Sequence, residues 1–225
     1  MANGSWHTEA KSQWDARAEG WQSKSAEMWE RGSRKGICPF FSGYVPQGSR
    51  VADLGCGDGY GSRKLHQSGY EVIGIDLSNK MVQLARRFET EGLTFRQGDL
   101  SSLPFADEEL DAVMAINSLE WTENPSQVLA EIRRVLKPSG RVCAAILGPT
   151  AGPRENSYKR LSGEAVIMNT MMPWEFARLA ADNGFLYMAE EHVYKGGITE
   201  PYVQAFPAEL KQSLTFFTLF MIEKA

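Results

Sequence analysis

The 225-residue chain has few of the features that would mark a membrane, secreted or nucleic-acid-binding protein. It has only three cysteines, Cys38, Cys56 and Cys143, whose spacing matches neither a zinc site nor a disulfide framework. This scarcity fits a reducing compartment, and a cytoplasmic location is expected. Its strongest apolar run, Leu214 to Ile222, is too short to span a bilayer. Met1 to Lys11 is polar and lacks the apolar core of a signal peptide. There is no excess of basic residues: the formal net charge is −4. Such a chain has no general attraction for phosphate backbones or anionic surfaces, so neither a nucleic-acid nor a membrane partner is expected. Its three histidines, His7, His66 and His192, are scattered and form no metal-ligand spacing, so no metal is expected. No Gly-Lys-Ser/Thr tripeptide occurs, which excludes a P-loop.

With 43% apolar residues the chain can build a sizeable core. Trp14, Ala18, Trp21, Ser25, Met28 and Trp29 recur at helical spacing, which predicts one or two amphipathic helices between Trp6 and Arg34. A connecting region rich in Gly and Pro follows. From Arg50 short apolar runs alternate with helical stretches. Strands are predicted at Val51–Leu54, Glu71–Ile75, Leu93–Gln97, Leu110–Ile116 and Arg141–Leu147. Helices are predicted at Gly59–Ser68, Asn79–Glu89, with Ser78 or Asn79 as its cap, and Ser126–Leu136. Such alternation implies right-handed crossovers and a parallel sheet. Further on, Glu164–Asn183 reads as helical with an interruption at Pro173, and Phe185–Tyr194 and Leu214–Glu223 read as two late strands. The expected organisation is an entry segment over residues 1–48 packed on a core domain over 49–225.

The most informative segment is VADLGCGDGYG, residues 51–61. A hydrophobic strand leads through Asp53 into Gly55, Gly57, Gly59 and Gly61, where bare backbone can turn sharply and lie against a ligand. In an open parallel sheet ligands bind beyond the carboxyl ends of the strands. The dinucleotide pattern G-x-G-x-x-G fails, because its last position would fall on Tyr60 or Ser62. An acid just before the glycines suits a cationic ligand better than a pyrophosphate.

These residues resemble the class I S-adenosylmethionine-dependent methyltransferases, especially their small-molecule, type 11-like branch, over about Trp14 to Gly148. The family's carboxylate for the ribose diol corresponds to Asp76 in GIDLS, with Leu77 beside the adenine face. Its acid for the adenine amino group corresponds to Asp99 in Gly98-Asp99-Leu100. Asn117 and Ser118, in DAVMAINSLE, fall where the methionine portion is held. The stretch LAEIRRVLKPSGRV matches the family's passage into the fifth strand, and WDARAEGW matches its entry segment over the cleft.

The resemblance implies an α/β, Rossmann-like, seven-stranded and mostly parallel sheet. Its order is 3-2-1-4-5-7-6, with the last strand antiparallel, helices on both faces and an N-terminal helical lid. It implies S-adenosyl-L-methionine as cofactor, held by Trp21, Asp53, Gly55, Cys56, Gly57, Asp76, Leu77, Met81, Asp99, Leu100, Asn117 and Ser118. The expected partner is a small-molecule methyl acceptor. No catalytic residue can be assigned; Glu120 and His192 are the candidates by location for a general base. The acceptor pocket is expected between Trp6–Gly36 and Thr150–Pro173, with Trp29, Tyr158, Met168, Met171, Met172 and Trp174 giving it apolar character. Arg154, Lys159 and Arg160 read as a solvated basic loop. The rival readings are an NAD-type oxidoreductase on a similar sheet, and a non-catalytic binder of the same cofactor acting with a partner.

Overall fold

The computed structural model describes residues 3–225, with side chains from Trp6 onward. One long helix, α1 (Asn3–Glu30), precedes a short α2 (Ile37–Ser42). The alternating region that follows is β1 (Arg50–Leu54), α3 (Tyr60–Gln67), β2 (Glu71–Asp76), α4 (Asn79–Ala85), β3 (Leu93–Gln97), β4 (Leu110–Ile116), α5 (Pro125–Val135) and β5 (Leu136–Leu147). Then come α6 (Pro173–Asp182), β6 (Phe185–Tyr194), two short helices α7 (Glu200–Val203) and α8 (Ala208–Ser213), and β7 (Thr215–Lys224). The seven strands form a single sheet in the order β3-β2-β1-β4-β5-β7-β6. The first five are parallel, and β7 runs antiparallel between β5 and β6.

The central strands read as continuous apolar runs because both of their faces are covered. In β4, Ala112 to Ala115 have no exposed surface. One face packs Leu54, Val113, Leu129, Ile132 and Phe220 into one core cluster, and the other packs Phe41, Val51, Leu65, Met114 and Phe217 into a second. Each fully buried aliphatic side chain contributes about 1.5–3 kcal/mol, so the sheet interior carries the stability. Among the described residues, no helix is long and apolar enough to cross a membrane.

Local chemistry explains where the elements end. Ser78 caps α4 by accepting the Met81 amide at 3.1 Å, and Asn124 caps α5 by accepting that of Gln127 at 3.2 Å. The predicted helix over 79–89 finishes at Ala85 and passes into a 3-10 turn over Arg86–Phe88.

Two expectations fail here. The stop signal Lys137-Pro138-Ser139-Gly140 does end α5, but Leu136 already pairs with Leu110; pairing then skips to Arg141 opposite Ala112. The four residues between form a bulge in which Ser139 has φ of 58°. The predicted helix over Glu164–Met172 is absent, and α6 begins only at Pro173. Asn169 accounts for this: its side-chain amide donates to the carbonyls of Leu119 at 2.8 Å and Thr122 at 3.0 Å, and its backbone amide donates to Glu120. A side chain that satisfies remote backbone competes with helix formation, and Thr170 beside it has φ of 61°.

Candidate functional site

The carboxyl ends of β1, β2 and β4 open under α1 into a cavity of about 410 Å³. Its floor is the turn after β1. Gly55 has φ of 75°, and a Cβ there would lie 2.4 Å from the Cβ of Ser118, so only glycine lets the two loops close together. Asn117 also adopts a positive φ, 51°, and its side-chain amide donates to the Ala145 carbonyl at 3.2 Å. Ser118 lines the cavity, and among the described residues its buried Oγ has no hydrogen-bond partner. An unmade hydroxyl bond of that kind is costly, so a polar ligand atom is the natural complement.

Asp76 ends β2 at the cavity wall. Its Oδ2 accepts from the Gly57 amide at 2.9 Å and its Oδ1 from the Ser78 amide at 2.8 Å, which fixes the carboxylate and leaves lone pairs for a ligand. Packed surroundings raise its pKa to about 6, although part of its surface faces the cavity. Asp99 stands across the cavity, 2.8 Å from His7 of α1. Leu77, Met81 and Leu100 supply apolar wall between the two acids.

The roof is α1. Trp14 meets Trp21 edge-on at 5.9 Å and Trp121 at 4.9 Å, and the Trp6 indole donates to the Trp121 carbonyl at 3.1 Å. Asp15 accepts from Ser78 Oγ at 2.6 Å and from the Lys80 amide at 3.2 Å, and Ser25 donates to Asp58 at 2.7 Å. At its far end Trp29 rests on Gly61, where a Cβ would come within 2.3 Å of the indole. The roof is therefore tied to α3, to α4 and to the glycine turn by polar bonds as well as aromatic packing.

Eleven of the twelve residues anticipated around the cofactor line this one cavity: Trp21, Gly55, Cys56, Gly57, Asp76, Leu77, Met81, Asp99, Leu100, Asn117 and Ser118. Asp53 does not. Its carboxylate is buried and accepts from Ser62 Oγ at 2.6 Å, and burial raises its pKa to about 7. It ties β1 to α3 behind the glycine turn.

Neither general-base candidate reaches the cavity. Glu120 is fully buried, with Oε1 accepting from the Leu147 amide at 2.6 Å; burial raises its pKa, and it anchors the turn after β4 to the end of β5. His192 lies on the edge strand β6, 3.2 Å from Glu190 and stacked on Tyr194. Arg154 is not solvated: its buried guanidinium donates to the carbonyls of Leu147, Gly148 and Met171. Lys159 and Arg160 stay exposed.

A second cavity of about 450 Å³ adjoins the first, sharing Trp14, Trp21, Arg34, Asn117 and Trp121 with it. Pro153, Asn156 and Phe216 close its other side. Of the residues anticipated for an acceptor pocket, Tyr158, Met168, Met171, Met172 and Trp174 are not in its wall, and Trp29 lines the first cavity instead. Met171 packs in the core under α6, while Tyr158 is 70% exposed. Trp6, His7 and Arg34 fall within the Trp6–Gly36 segment expected at the pocket but were not singled out there, and Trp121 was missed. Only Trp121, directly after the INSLE segment, carried a signal that could have found it.

The family profile described as a methyltransferase domain matches residues 52–144. A demethylmenaquinone methyltransferase of Renibacterium salmoninarum is 38% identical over 117 residues, which cover 52% of this chain and 48% of that protein. A malonyl-[acyl-carrier protein] O-methyltransferase of Erwinia pyrifoliae is 38% identical over 113 residues, 50% of this chain and 40% of the relative. The chain thus spans less than half the length of these curated relatives. Among solved structures, a chain of the complex between the Haloferax volcanii Trm112 methyltransferase activator and a proposed methyltransferase superposes with a TM-score of 0.70 at 26% identity, covering 94% of this chain and 97% of the other. An S-adenosylmethionine-dependent methyltransferase of Mesorhizobium loti shares the fold, with a TM-score of 0.64 at 22% identity over 83% of this chain and 96% of the other. Residues 52–144 thus match the methyltransferase domain family, and the seven-stranded sheet as a whole shares its fold with solved S-adenosylmethionine-dependent methyltransferases.

Proposed function

We propose that the protein transfers a methyl group from S-adenosylmethionine to a small-molecule acceptor, and that residues 1–48 act as an entry lid on a single catalytic domain over 49–225. The observation that carries this reading is the pairing of Asp76 with the bare turn at Gly55 and Gly57 in one roofed cavity. The residues present fit the cofactor. Asp76 offers two fixed oxygens to a ribose diol, Asp99 offers an acceptor for the adenine amino group, and Leu77, Met81 and Leu100 offer apolar surface for the base. Ser118, Gly55 and Asn117, which line the same cavity, would hold the amino-acid portion.

When bound, the cofactor supplies an activated methyl group on a sulfonium, which is an excellent leaving group. The remaining work falls to the chain. Trp14, Trp21 and Trp121 close the roof against water. The neighbouring cavity would hold the acceptor in line with the methyl carbon. Alignment of that kind can supply about 7–11 kcal/mol of rate enhancement. With Glu120 and His192 both outside the cleft, positioning carries the reaction, and an acceptor that is already nucleophilic at neutral pH suits the site. The activities that the relatives are named for, on demethylmenaquinone and on malonyl-[acyl-carrier protein], are consistent with acceptors other than nucleic acid.

The test is transfer of labelled methyl from S-adenosylmethionine into a pool of cell metabolites. A labelled product that forms more slowly in the Asp76→Ala variant at limiting cofactor supports the reading. Cofactor binding without any labelled product would favour a non-catalytic binder instead.

A further inference from the structure

The two adjoining cavities carry opposite charge. Asp58, Asp76, Asp99 and Glu123 line the first, whereas among the described residues no carboxylate lines the second, which has Arg17, Lys24 and Arg34 in its wall. This runs against the net charge of −4 on the chain. Arg34 is the pivotal group. It is 8% exposed, lies over the rings of Trp21 at 4.8 Å and Trp29 at 5.6 Å, and faces both cavities. Among the described residues no carboxylate pairs with it; Asp53, Asp58 and Glu120 act on it only at longer range. Arg17 likewise has no carboxylate partner among the described residues: it donates to the neutral side chains of Gln13 and Asn156 and stacks over Trp14 and Trp121. A buried guanidinium without an anion bears most of its desolvation cost unrelieved, whereas a planar carboxylate can engage its donor fork in two parallel bonds.

From this, and resting on the methyltransferase reading above, we infer that the second cavity takes an acceptor with an apolar or aromatic body and an acidic group, held by Arg34 with Lys24 and Arg17 behind it. The body stacks among Trp14, Trp121 and Phe216. The acid lies against Arg34 at the junction, and an anion there is also drawn toward the sulfonium next door.

The experiment uses naphthalene-1-carboxylate as the anionic probe and naphthalene-1-methanol as its neutral counterpart, both titrated into protein saturated with S-adenosylhomocysteine. The carboxylate is expected to bind at least about tenfold tighter, the scale of one charge-assisted bidentate contact. In Arg34→Gln that preference collapses. Lys24→Gln, at an exposed position, reduces the preference without risk to folding and stands in if the Arg34 variant fails a melting check. Equal binding of the two probes to the wild type overturns the inference. So does an Arg34 variant that loses S-adenosylhomocysteine yet keeps the preference, because the guanidinium would then serve the cofactor's own carboxylate. If S-adenosylhomocysteine fails to bind the wild type, the methyltransferase reading falls, and the probe preference measured without it decides the charge argument alone.

Discussion

At the scale of single residues, the proposed cofactor site rests most on Asp76. Its two oxygens are pinned by the amides of Gly57 and Ser78, so replacing it removes prearranged acceptors, not a mobile charge. Asp76→Ala is expected to weaken S-adenosylhomocysteine binding by about 1–3 kcal/mol in calorimetry, with the far-ultraviolet spectrum unchanged. The same carboxyl sets a pH dependence. Its pKa in the free protein is raised to about 6, and ribose hydroxyls donate to the ionised form, so binding must displace a proton below that value. Affinity is therefore constant above about pH 7 and falls below pH 6, approaching tenfold per unit. An affinity that rises on acidification would contradict the assignment. For the apo protein the linkage has the opposite sign. An acid whose folded pKa lies above its unfolded value of 3.8 destabilises the fold where it is ionised, and the effect of Asp76 fades as pH falls from about 6 to below 3.8. Asp76, Asp99 and the glycines were legible in the sequence because each stands at a strand end where the fold leaves little choice of direction. Asp53 was not: its position in the motif is fixed, but the side chain turns to Ser62, and no spacing rule distinguishes the two faces of one residue.

At the scale of elements, α1 is the least autonomous part of the fold. Its buried positions are small or aromatic, Ala10, Ala18, Ser25 and Trp29, and among these Trp29 alone joins a core cluster of the sheet. Three polar ties converge on Asp15, from Lys11, Ser78 and Lys80. Asp15→Ala should lower the local opening free energy of α1 by about 1 kcal/mol, seen as faster amide exchange in α1 with little change in the strands. Gly61→Ala should have a larger effect, because the new methyl group meets the Trp29 ring; overpacking of this kind costs about 1–3 kcal/mol and would show as a lower melting temperature. The sequence revealed this element through tryptophans at helical spacing, and the strands through their apolar runs. It misled over Glu164–Met172, where good helix formers are held out of a helix by a long-range contact from Asn169. It also hid the start of β5, since the Lys137–Gly140 stop signal is spliced into the strand as a bulge. In both cases tertiary hydrogen bonds overrode local preference.

At the scale of the whole molecule, the sheet is a rigid platform whose carboxyl edge presents two cavities under one roof. The apolar strands made the parallel core readable, and the family resemblance supplied the order of the outer strands that composition alone does not encode. The proposed acceptor pocket was the least legible part. It forms where α1 meets Pro153, Asn156 and Phe216, residues far apart in the chain and unremarkable in type. A ligand that binds this platform only when folded must stabilise the whole domain. At one hundred times its dissociation constant, S-adenosylhomocysteine should contribute about 2.7 kcal/mol, raising the melting temperature by roughly 5–10 °C for a chain of this size. The most direct test of the central claim is a pair of calorimetric titrations of the wild-type protein, one with S-adenosylhomocysteine and one with NAD. The account predicts saturable one-to-one binding of the first, weakened by Asp76→Ala, and none of the second. Tight binding of NAD with no heat from S-adenosylhomocysteine would contradict it.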